Sequence, residues 1–350
     1  MKNKLYHTIK NWQAWPFKVL YTPMSIFWVW YMIKSKAVWF FTPSNPKLTF
    51  GGLEGEPKKE MYALLDKKLY PSTFTTLPTD SLDLIKEKLL LYKINYPFIV
   101  KPEIGGQGIL LRKINNEDEL KHYHSLMQWE YIVQQLVQYP MEVSVFYIRH
   151  PKNSTGVITG FLHKIPLQVK GNGIDTLEKL IEKHPKGNNF FNATQSNHLE
   201  KLKEIIAPDE KYFLSYAANH SRGAQFIDLK EEIDHQLVAI FDGISNSGNE
   251  FYYGRYDIMC TNVNDLKEGK NFTILEYNGC GAEPNHFYDT GYTLLQAYKE
   301  ILKHWKALYE ISNYNKSLGI KPWPFKKGRK FLTNSRNLTT EMKAVDFKIG

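Results

Sequence analysis

Two oxygen-bearing side chains end an apolar strand in the stretch FTILEYN, where Glu276 and Asn278 are separated by one tyrosine. Because side chains alternate along a strand, residues two apart point to the same side. Carboxylate and amide oxygens are suitable ligands for a hard cation such as Mg²⁺. The pair therefore indicates a metal site, and the alternative is an edge strand whose polar face lies in water.

A charged pair with the same spacing, Arg255 and Asp257, lies in the preceding strand-like stretch GRYDIMC. Pairing of the two strands would bring Asp257 close to Glu276 and Asn278. Carboxylates held away from water repel one another unless a metal or another cation neutralises them. We therefore interpret the set as a site for metal and phosphate rather than as a structural cluster.

A lysine at the end of an apolar strand, Lys101 in YPFIVKPEIGGQGILL, precedes a loop that contains Gly105, Gly106 and Gly108. A lysine fixed on a strand can hold phosphate oxygens as a point charge. Glycines allow backbone N–H groups to close over the same phosphates. Alone, the motif also fits a β-hairpin with an exposed lysine, because the loop matches neither common phosphate-binding glycine pattern.

A further carboxylate, Glu142, begins the strand that follows the stretch YIVQQLVQYP. The short strand and extended connection before it can offer backbone N–H and C=O groups to a flat base. Glu142 could then accept hydrogen bonds from the two hydroxyls of a ribose. A single glutamate at the end of a strand is, however, more often simply exposed to water.

The elements that must position these residues are short strands mixed with helices. Strands are expected on both sides of the glycine loop, around the turn at Tyr139-Pro140, and on both sides of the turn NDLKEGK. Helical spacing of apolar residues predicts helices over 58–69, 81–92, 177–183, 197–206, 233–246 and 294–309.

The composition is that of a folded chain large enough for more than one domain or lobe. The 350 residues include 45 basic and 36 acidic side chains, which give a formal charge of +9. This excess suits nucleotides, acidic lipid or nucleic acid without distinguishing among them. The two cysteines, Cys260 and Cys280, argue against a disulfide framework and fit a reducing compartment. No signal-peptide pattern is recognisable.

Residues 1–50 form an unusual aromatic and basic segment, whose uninterrupted apolar run is 24–33. A membrane-spanning helix needs about 20 apolar residues, and here lysines and prolines interrupt the rest. Tryptophan and tyrosine favour the headgroup level of a bilayer, and lysine stems can extend to it. We expect an interfacial or re-entrant anchor on an anionic membrane face, with a buried amphipathic helix or an oligomer interface as alternatives.

Taken in order, these motifs resemble the ATP-grasp superfamily. The match is closest to D-alanine–D-alanine ligases, and in the middle of the chain to cyanophycin synthetase-like and glutathione-forming ligases. There, HKIPLQVKGNGIDTLEKLI and AANHSRGAQFID are similar to patterns of the latter group. The resemblance covers roughly residues 58–300. It implies an α+β ATP-grasp fold, in which two α+β lobes clasp a nucleotide, here behind the N-terminal membrane-facing extension.

For the nucleotide, the resemblance implies a set of binding residues. Lys101 would bind the phosphates together with an upstream lysine, Lys58 or less securely Lys59, and Glu142 would hold the ribose. The mobile phosphate lid and the adenine hinge would be formed by Gly105, Gly106, Gln107, Gly108, Gln135, Leu136 and Val137. The family commonly has a glutamate where Gln135 stands.

For catalysis, the resemblance implies that Asp257, Glu276 and Asn278 hold two Mg²⁺ ions, for which Mn²⁺ can substitute. Arg255 would stabilise the oxyanion of a tetrahedral intermediate. Lys164, where the family pattern has arginine, would contact the phosphates or the acyl phosphate. The implied enzyme is an ATP-dependent ligase that converts a small carboxylate to an acyl phosphate, which an amine, thiol or hydroxyl then attacks.

The chain also departs from D-alanine ligases. They end this site with a Ser-Pro-Gly-Met type of turn, whereas this chain has GCGAEPNHF. It lacks their full N-terminal α/β domain and carries an NP…GG…GE signature, over 45–56, that is not one of their features. A peptidoglycan dipeptide is therefore not the expected product. The substrate pocket is expected around Asn219, Arg222, Glu283 and His286.

The predicted organisation is a membrane-interface segment over 1–50, a helical linker and start of the ATP-grasp region over 51–96, the ATP-grasp lobes over 97–310, and an exposed basic tail over 311–350. We expect a cytoplasmic enzyme at the inner face of the membrane. Its partners would be ATP, small carboxylate and amine substrates and an anionic membrane, with no nucleic acid, and one substrate could be linked to lipid or envelope. The alternatives are a non-catalytic ATP-binding membrane scaffold and an ATP-grasp phosphotransferase.

Overall fold

The computed structural model describes residues 12–106, 108–186, 198, 200–215, 217–246 and 251–349. In chain order, the strands of this described part are β1 (Thr73–Thr76), β2 (Phe98–Pro102), β3 (Arg112–Ile114), β4 (Tyr131–Gln135), β5 (Met141–Ile148), β6 (Val157–Ile165), β7 (Gln168–Lys170), β8 (Lys211–Phe213), β9 (Gln225–Asp228), β10 (Tyr253–Cys260) and β11 (Phe272–Asn278). Its α-helices are α1 (Phe17–Tyr21), α2 (Ser25–Ser35), α3 (Lys58–Leu64), α4 (Leu82–Leu91), α5 (Glu117–Leu126), α6 (Leu177–Lys183), α7 (His235–Asn246), α8 (Val263–Lys267), α9 (Leu294–Ser317) and α10 (Phe325–Ile349).

The first lobe is built on an antiparallel sheet with the strand order β1-β4-β2-β3. Alternation along β2 sends Phe98 and Val100 into the core and leaves Lys101 on the opposite face. Ile85 of α4 and Leu120 of α5 pack in the same core and are fully buried. The apolar side of the sheet is therefore covered by helices, and its other side carries the predicted phosphate-binding lysine.

The second lobe is built on an antiparallel sheet with the order β11-β10-β5-β6-β9. Tyr256 and Ile258 of β10 and Tyr277 of β11 pack in a core with Phe241 of α7. Because side chains alternate, the polar residues between them point away from that core. Between β6 and β9 in sequence, β7 and β8 form a separate antiparallel pair.

The predicted helix over 197–206 lies partly outside the described residues, and residues 200–206 are not α-helical. Instead, the main chain of this segment forms hydrogen bonds with the start of α6. The carbonyl groups of Glu204 and Leu202 accept hydrogen bonds from the backbone N–H groups of Leu177 and Glu178, at 2.9 and 3.0 Å. The segment thus satisfies the first free N–H groups of α6, which a helix in this place could not do.

The N-terminal segment is partly core and partly surface. Its buried side chains include Trp12, Leu20, Phe40, Phe41 and Phe50. Its exposed apolar side chains include Phe17, Ile26, Trp30 and Ile33, between 58% and 70% exposed. Within the described ranges, no helix combines the length and the apolar character needed to cross a bilayer.

An exposed basic tail was expected over 311–350, and its described part, 311–349, contains the end of α9 and then α10. Leu338, Met342 and Val345 of α10 pack on the core of the first lobe, where Met342 is 1% exposed. Asp346 pairs with an arginine of β3 at 2.9 Å. Most side chains of α10 are exposed, as expected, but the segment is not a free tail, because apolar residues recur at helical spacing among the lysines and arginines.

Candidate active site

The predicted metal ligands lie together on β10 and β11. The register places Asp257 opposite Glu276 and Arg255 opposite Asn278. Asn278 Nδ2 donates a hydrogen bond to Asp257 Oδ2 at 3.2 Å, and Arg255 Nη2 donates to the same oxygen at 3.3 Å. The structure therefore brings together the four side chains that the sequence assigned to one site.

Lys164 lies on β6 directly opposite Glu142 of β5. Its Nζ atom is 2.6 Å from Glu142 Oε1 and 3.0 Å from Asp257 Oδ1, and only 4% of its side chain is exposed. Burial acts to lower the pKa of Lys164, but the carboxylates of Asp257 and Glu142 outweigh it and raise the pKa. Lys164 and Glu142, expected to meet phosphate and ribose, are thus paired with each other in this structure.

Asp257 is nearly buried yet remains ionised at neutral pH. Burial acts to raise the pKa of its carboxyl group, but the positive charges of Arg255 and Lys164 hold that pKa at about 2. Burial raises the pKa of Glu142 in contrast. The site therefore holds at least one strong oxygen donor that stays negative at any physiological pH.

The two upstream lysines are separated by the fold. Lys58 Nζ donates hydrogen bonds to the carbonyl oxygens of Pro102 at 3.1 Å and Gly105 at 2.8 Å, while Lys59 forms an exposed ion pair with Glu130 at 3.1 Å. Burial lowers the pKa of Lys58. Of the two, Lys58 is therefore the one beside the glycine loop.

A cleft lies between the two lobes, with about 700 Å³ of space when the open solvent at its mouth is included. Most of the predicted site residues line it: Lys58, Lys101, Gly105, Gly106, Gly108, Glu142, Lys164, Asp257 and Glu276. Of the expected substrate-pocket residues, Asn219 also lines it. Burial lowers the pKa of Lys101. One wall of the cleft thus carries Lys58, Lys101 and the glycine loop, and the other carries carboxylates together with Lys164.

The predicted adenine hinge occupies the connection between the two sheets. Gln135 ends β4, and Leu136 and Val137 follow it before β5 begins. Among the residues that the structure describes, these three are not part of the cleft lining. The predicted lid residue Gln107 lies outside the described residues. The hinge and lid assignments therefore stay predictions.

A carboxylate that the sequence did not single out, Glu56, lies close to Glu276 and Lys58. Burial raises the pKa of Glu56 to about 7, and the nearby charge of Glu276 adds to the rise. Its Oε2 atom is shielded from solvent and has no hydrogen-bond partner among the described residues. Glu56 is the last residue of the NP…GG…GE signature, so the sequence contained a signal that could have identified it as a site residue.

The remainder of that signature fixes the turn after β11. Asn45 Oδ1 accepts hydrogen bonds from the backbone N–H groups of Tyr252 and Tyr253, and its Nδ2 donates to the Tyr253 carbonyl oxygen at 2.8 Å. Gly52 packs so closely on Gly279 that a β-carbon at Gly52 would lie 2.8 Å from the Gly279 α-carbon. The segment 45–56 therefore supports the strand end that carries Asn278.

A hydrogen-bonded chain joins the N-terminal segment to the site. Tyr21 donates to Glu283 Oε1 at 2.8 Å, and Tyr288 donates to the same oxygen at 2.9 Å. Arg255 Nη1 donates to the Glu283 carbonyl oxygen at 3.2 Å. The turn after β11, which departs from D-alanine ligases, is thus held from both sides, with the arginine of the site on one side and α1 on the other.

The fold is α+β, with the antiparallel sheets of two lobes facing one cleft, as the sequence predicted. The resemblance to ATP-grasp ligases is confirmed by sequence comparison. The chain is similar to the D-alanine–D-alanine ligase of Petrotoga mobilis, with 27% identity over 169 residues that cover 43% of this chain and 56% of that protein. The chain thus spans about half the length of the curated relative it matches. No family model matches the chain.

Solved structures of ligases are also similar to this one. The D-alanine–D-alanine ligase from Bacillus anthracis has 12% identity and a TM-score of 0.41, over 75% of this chain and 68% of that chain. The VanG D-Ala:D-Ser ligase from Enterococcus faecalis has 12% identity and a TM-score of 0.42, over 72% of this chain and 61% of that chain. The D-cycloserine synthetase DcsG has 13% identity and a TM-score of 0.39, over 72% and 70%.

Proposed function

We propose that this protein is an ATP-grasp ligase that uses ATP to activate a carboxylate as an acyl phosphate, which an amine then attacks. The observation that carries the proposal is the cleft, where Lys58 and Lys101 of one wall face Asp257 and Glu276 of the other. Lysines bind phosphate oxygens, and carboxylates bind the metal ion that accompanies a triphosphate. The order of the motifs and the ligase name of the sequence relative support the same class.

Magnesium fits the donor set of the proposed metal site. Asp257, Glu276 and Asn278 carry oxygen donors on one face of two paired strands, and Mg²⁺ binds through carboxylates together with substrate phosphates. The low pKa of Asp257, about 2, keeps one of these donors negative. Two Mg²⁺ ions, or Mn²⁺ in their place, would neutralise the charge on the phosphates as Lewis acids.

The protein's own side chains would bind the phosphates, orient the reacting groups and exclude water. Lys101 would hold phosphate oxygens, and Lys58 would fix the base of the glycine loop through the Gly105 carbonyl oxygen. Closure of that loop would exclude water, which strengthens every charge interaction in the cleft. Lys164 would exchange one carboxylate partner for a phosphate oxygen, and Arg255 would face the oxyanion that develops when the amine attacks.

The proposed reaction proceeds in two displacements. A substrate carboxylate oxygen attacks the γ-phosphorus of ATP, so that a C–O–P linkage forms and ADP leaves. The amine nitrogen then attacks the acyl carbon, the C–N bond forms, and the bond from that carbon to the phosphate oxygen breaks. Inorganic phosphate leaves, and the surplus proton of the amine passes to solvent. A thiol or hydroxyl nucleophile would follow the same course.

A peripheral contact with an anionic membrane forms the second part of the proposal. The outer side of α1 and α2 exposes Phe17, Ile26, Trp30 and Ile33 beside the exposed residues Lys18, Lys34 and Lys36. Apolar and cationic groups on one face suit the boundary between headgroups and acyl chains. This placement supports action at the inner face of the cytoplasmic membrane, on a carboxylate or amine that is linked to lipid or envelope.

Release of ADP and phosphate tests the ligase proposal. Purified protein is incubated with Mg²⁺-ATP and pools of amino acids, hydroxy acids and lipid acids, each with and without an amine pool. Glu276→Gln and Lys101→Ala should abolish turnover while the unfolding midpoint stays near that of the wild type. Glu268→Gln and Lys121→Ala, at exposed positions away from the cleft, are the matched controls and should leave turnover unchanged.

The products separate the alternatives. A ligase releases ADP and inorganic phosphate together with an amide product. A phosphotransferase releases ADP while the phosphoryl group stays on the acceptor, and a scaffold binds ATP without turnover in every pool. Full turnover in Glu276→Gln or Lys101→Ala would contradict the assignment of the site.

Sedimentation with vesicles tests the membrane contact. The wild type should sediment with phosphatidylglycerol vesicles and much less with phosphatidylcholine vesicles. A double variant, Ile26→Asp with Trp30→Asp, should lose this binding, whereas Leu90→Asp, at an even more exposed apolar position on α4, should retain it. Absence of wild-type binding to anionic vesicles, or equal binding by the double variant, would end the membrane proposal.

A further inference from the structure

A group of potential metal ligands lies outside the cleft, where α9 meets the turn at residues 285–287. Glu300 and His304 are four residues apart on α9, so they share one face of the helix. His286 approaches them from the turn, and ligand atoms of the three side chains lie within 4.8 Å of one another. His304 is fully buried and His286 is 4% exposed. None of these three residues belongs to the cleft lining that the structure describes.

His286 is buried without hydrogen bonds. Neither of its ring nitrogens has a hydrogen-bond partner among the described residues, although a buried imidazole ordinarily uses at least one of them. Its Nε2 atom lies 3.4 Å from Glu300 Oε1. Gly160 of β6 leaves the space for the ring, because a β-carbon there would lie 2.2 Å from His286 Nδ1. The fold thus leaves room for the ring, and Nε2 faces the Glu300 carboxylate without a well-formed hydrogen bond.

His304 is hydrogen-bonded through both of its ring nitrogens. Its Nδ1 atom is 2.8 Å from the backbone carbonyl oxygen of Glu300, which can only accept, so Nδ1 carries the proton. The Nε2 atom then accepts a hydrogen bond from Thr159 Oγ1 at 2.9 Å, and a metal ion bound at Nε2 would displace this hydroxyl, which also lies 3.5 Å from the Phe146 carbonyl oxygen. The Nδ1 atom is the one nearer the Glu300 carboxylate, 3.4 Å from its Oε1. A ligating histidine almost always donates its other N–H to a carbonyl or carboxylate in this manner.

The spacing also suits a metal ion. Ligand bonds of about 2.1 Å in a tetrahedral zinc site imply ligand atoms about 3.4 Å apart. The 3.4 Å between His286 Nε2 and Glu300 Oε1 matches that separation and is long for a strong charge-assisted hydrogen bond. Two imidazoles and one carboxylate, without a thiolate, are a donor set for Zn²⁺ and similar divalent transition metals rather than for Mg²⁺.

We propose that His286, Glu300 and His304 form a structural site for a divalent transition metal, with Zn²⁺ as the best match. The bound ion would tie α9 to the turn that follows Glu283. Because the Glu283 carbonyl oxygen accepts from Arg255, the ion would stabilise the backbone that positions this arginine. The site is separate from the Mg²⁺ site of the cleft and does not depend on the ligase proposal.

Metal analysis of the purified chain tests the proposal. The protein is loaded with Zn²⁺, freed of excess metal by gel filtration and assayed for bound zinc. The wild type should retain about one ion per chain, and Zn²⁺ should raise its melting temperature because it binds the folded state. Glu300→Gln, which keeps the shape of the side chain, and His286→Ala should each lose the zinc and the increase in melting temperature.

Two matched variants locate the ion. His235→Ala removes an exposed histidine at the start of α7 and should retain zinc, as should Glu276→Gln in the cleft. With Co²⁺ in place of Zn²⁺, the absorption spectrum should lack thiolate bands. Absence of bound zinc in the wild type, retention of zinc by Glu300→Gln and His286→Ala, loss of zinc in Glu276→Gln, or thiolate bands with Co²⁺ would each overturn the proposal.

Discussion

Replacement of Gly52 by alanine tests whether the segment 45–56 supports the strand that carries the proposed metal ligands. Gly52 has a φ of +74°, and a β-carbon there would lie 2.8 Å from the α-carbon and 3.0 Å from the nitrogen of Gly279. Both atoms belong to the backbone, so no side chain can rotate away to relieve the contact. Gly279 directly follows Asn278, and any relief must therefore move the end of β11.

The expected loss of stability is the sum of a cost in backbone conformation and a cost in packing. The left-handed conformation costs an L-residue roughly 1–2 kcal/mol relative to glycine. Forcing an extra methyl group into a packed site costs about 1–3 kcal/mol more. Gly52→Ala should therefore lower the free energy of unfolding by about 2–5 kcal/mol, measured by urea denaturation. ATP turnover of the folded fraction should fall as well, because the shift reaches Asn278.

Gly243 provides the control. It lies inside α7, and a β-carbon there would have no atom within 4 Å. Gly243→Ala should raise the free energy of unfolding by about 1 kcal/mol, because alanine is the better helix former. If Gly243→Ala behaves in this way while Gly52→Ala unfolds at the wild-type urea concentration, the reasoning about the 45–56 segment is refuted.

Three further predictions concern charge and packing. Since burial raises the pKa of Glu56 to about 7, the wild type should lose on the order of a few kcal/mol of stability as the pH rises from 4.5 to about 7. Glu56→Gln should remove this loss in urea denaturation, whereas Glu54→Gln should keep it. Lys164→Met should destabilise by about 3 kcal/mol, because it leaves two carboxylates without their buried partner, whereas the exposed Lys170→Met should change stability by less than about 1 kcal/mol. Met342→Ala should lower the free energy of unfolding by about 2–4 kcal/mol and make α10 sensitive to limited proteolysis. If α10 of the variant resists the protease as well as that of the wild type, this contradicts the packing of α10 on the first lobe.

The parts of the site that the sequence predicts correctly are those set by local geometry. Alternation along a strand is enough to place Glu276 with Asn278 and Arg255 with Asp257. The short connection between the two strands, which contains α8, makes their antiparallel pairing the simplest arrangement. The exact register, which shifts between Asp257 and Ile258 and sets Asp257 opposite Glu276, comes from the structure.

The parts that the sequence leaves open depend on contacts between distant segments. Glu56 approaches Glu276 only because Asn45 and the glycines after it pack on the turn after β11. The pairing of Lys164 with Glu142 depends on the register of β5 and β6. The packing of α10 was not predicted for another reason. Its many lysines and arginines suggested a solvent-exposed tail, although they are interspersed with an apolar stripe that includes Met342.

The structure also weighs against the structural alternatives that the sequence left open for the cleft residues. Burial lowers the pKa values of Lys58 and Lys101 and raises that of Glu56, so the fold disfavours the charged form of all three groups. A cluster retained for stability alone gains nothing from this, because apolar residues of similar volume are often as stabilising as buried charges. A bound polyanion with its metal would supply the charges that favour the ionised lysines. β11 is indeed an edge strand of its sheet, but Glu276 does not face open water, because it lines the cleft that also contains the desolvated lysines Lys58 and Lys101.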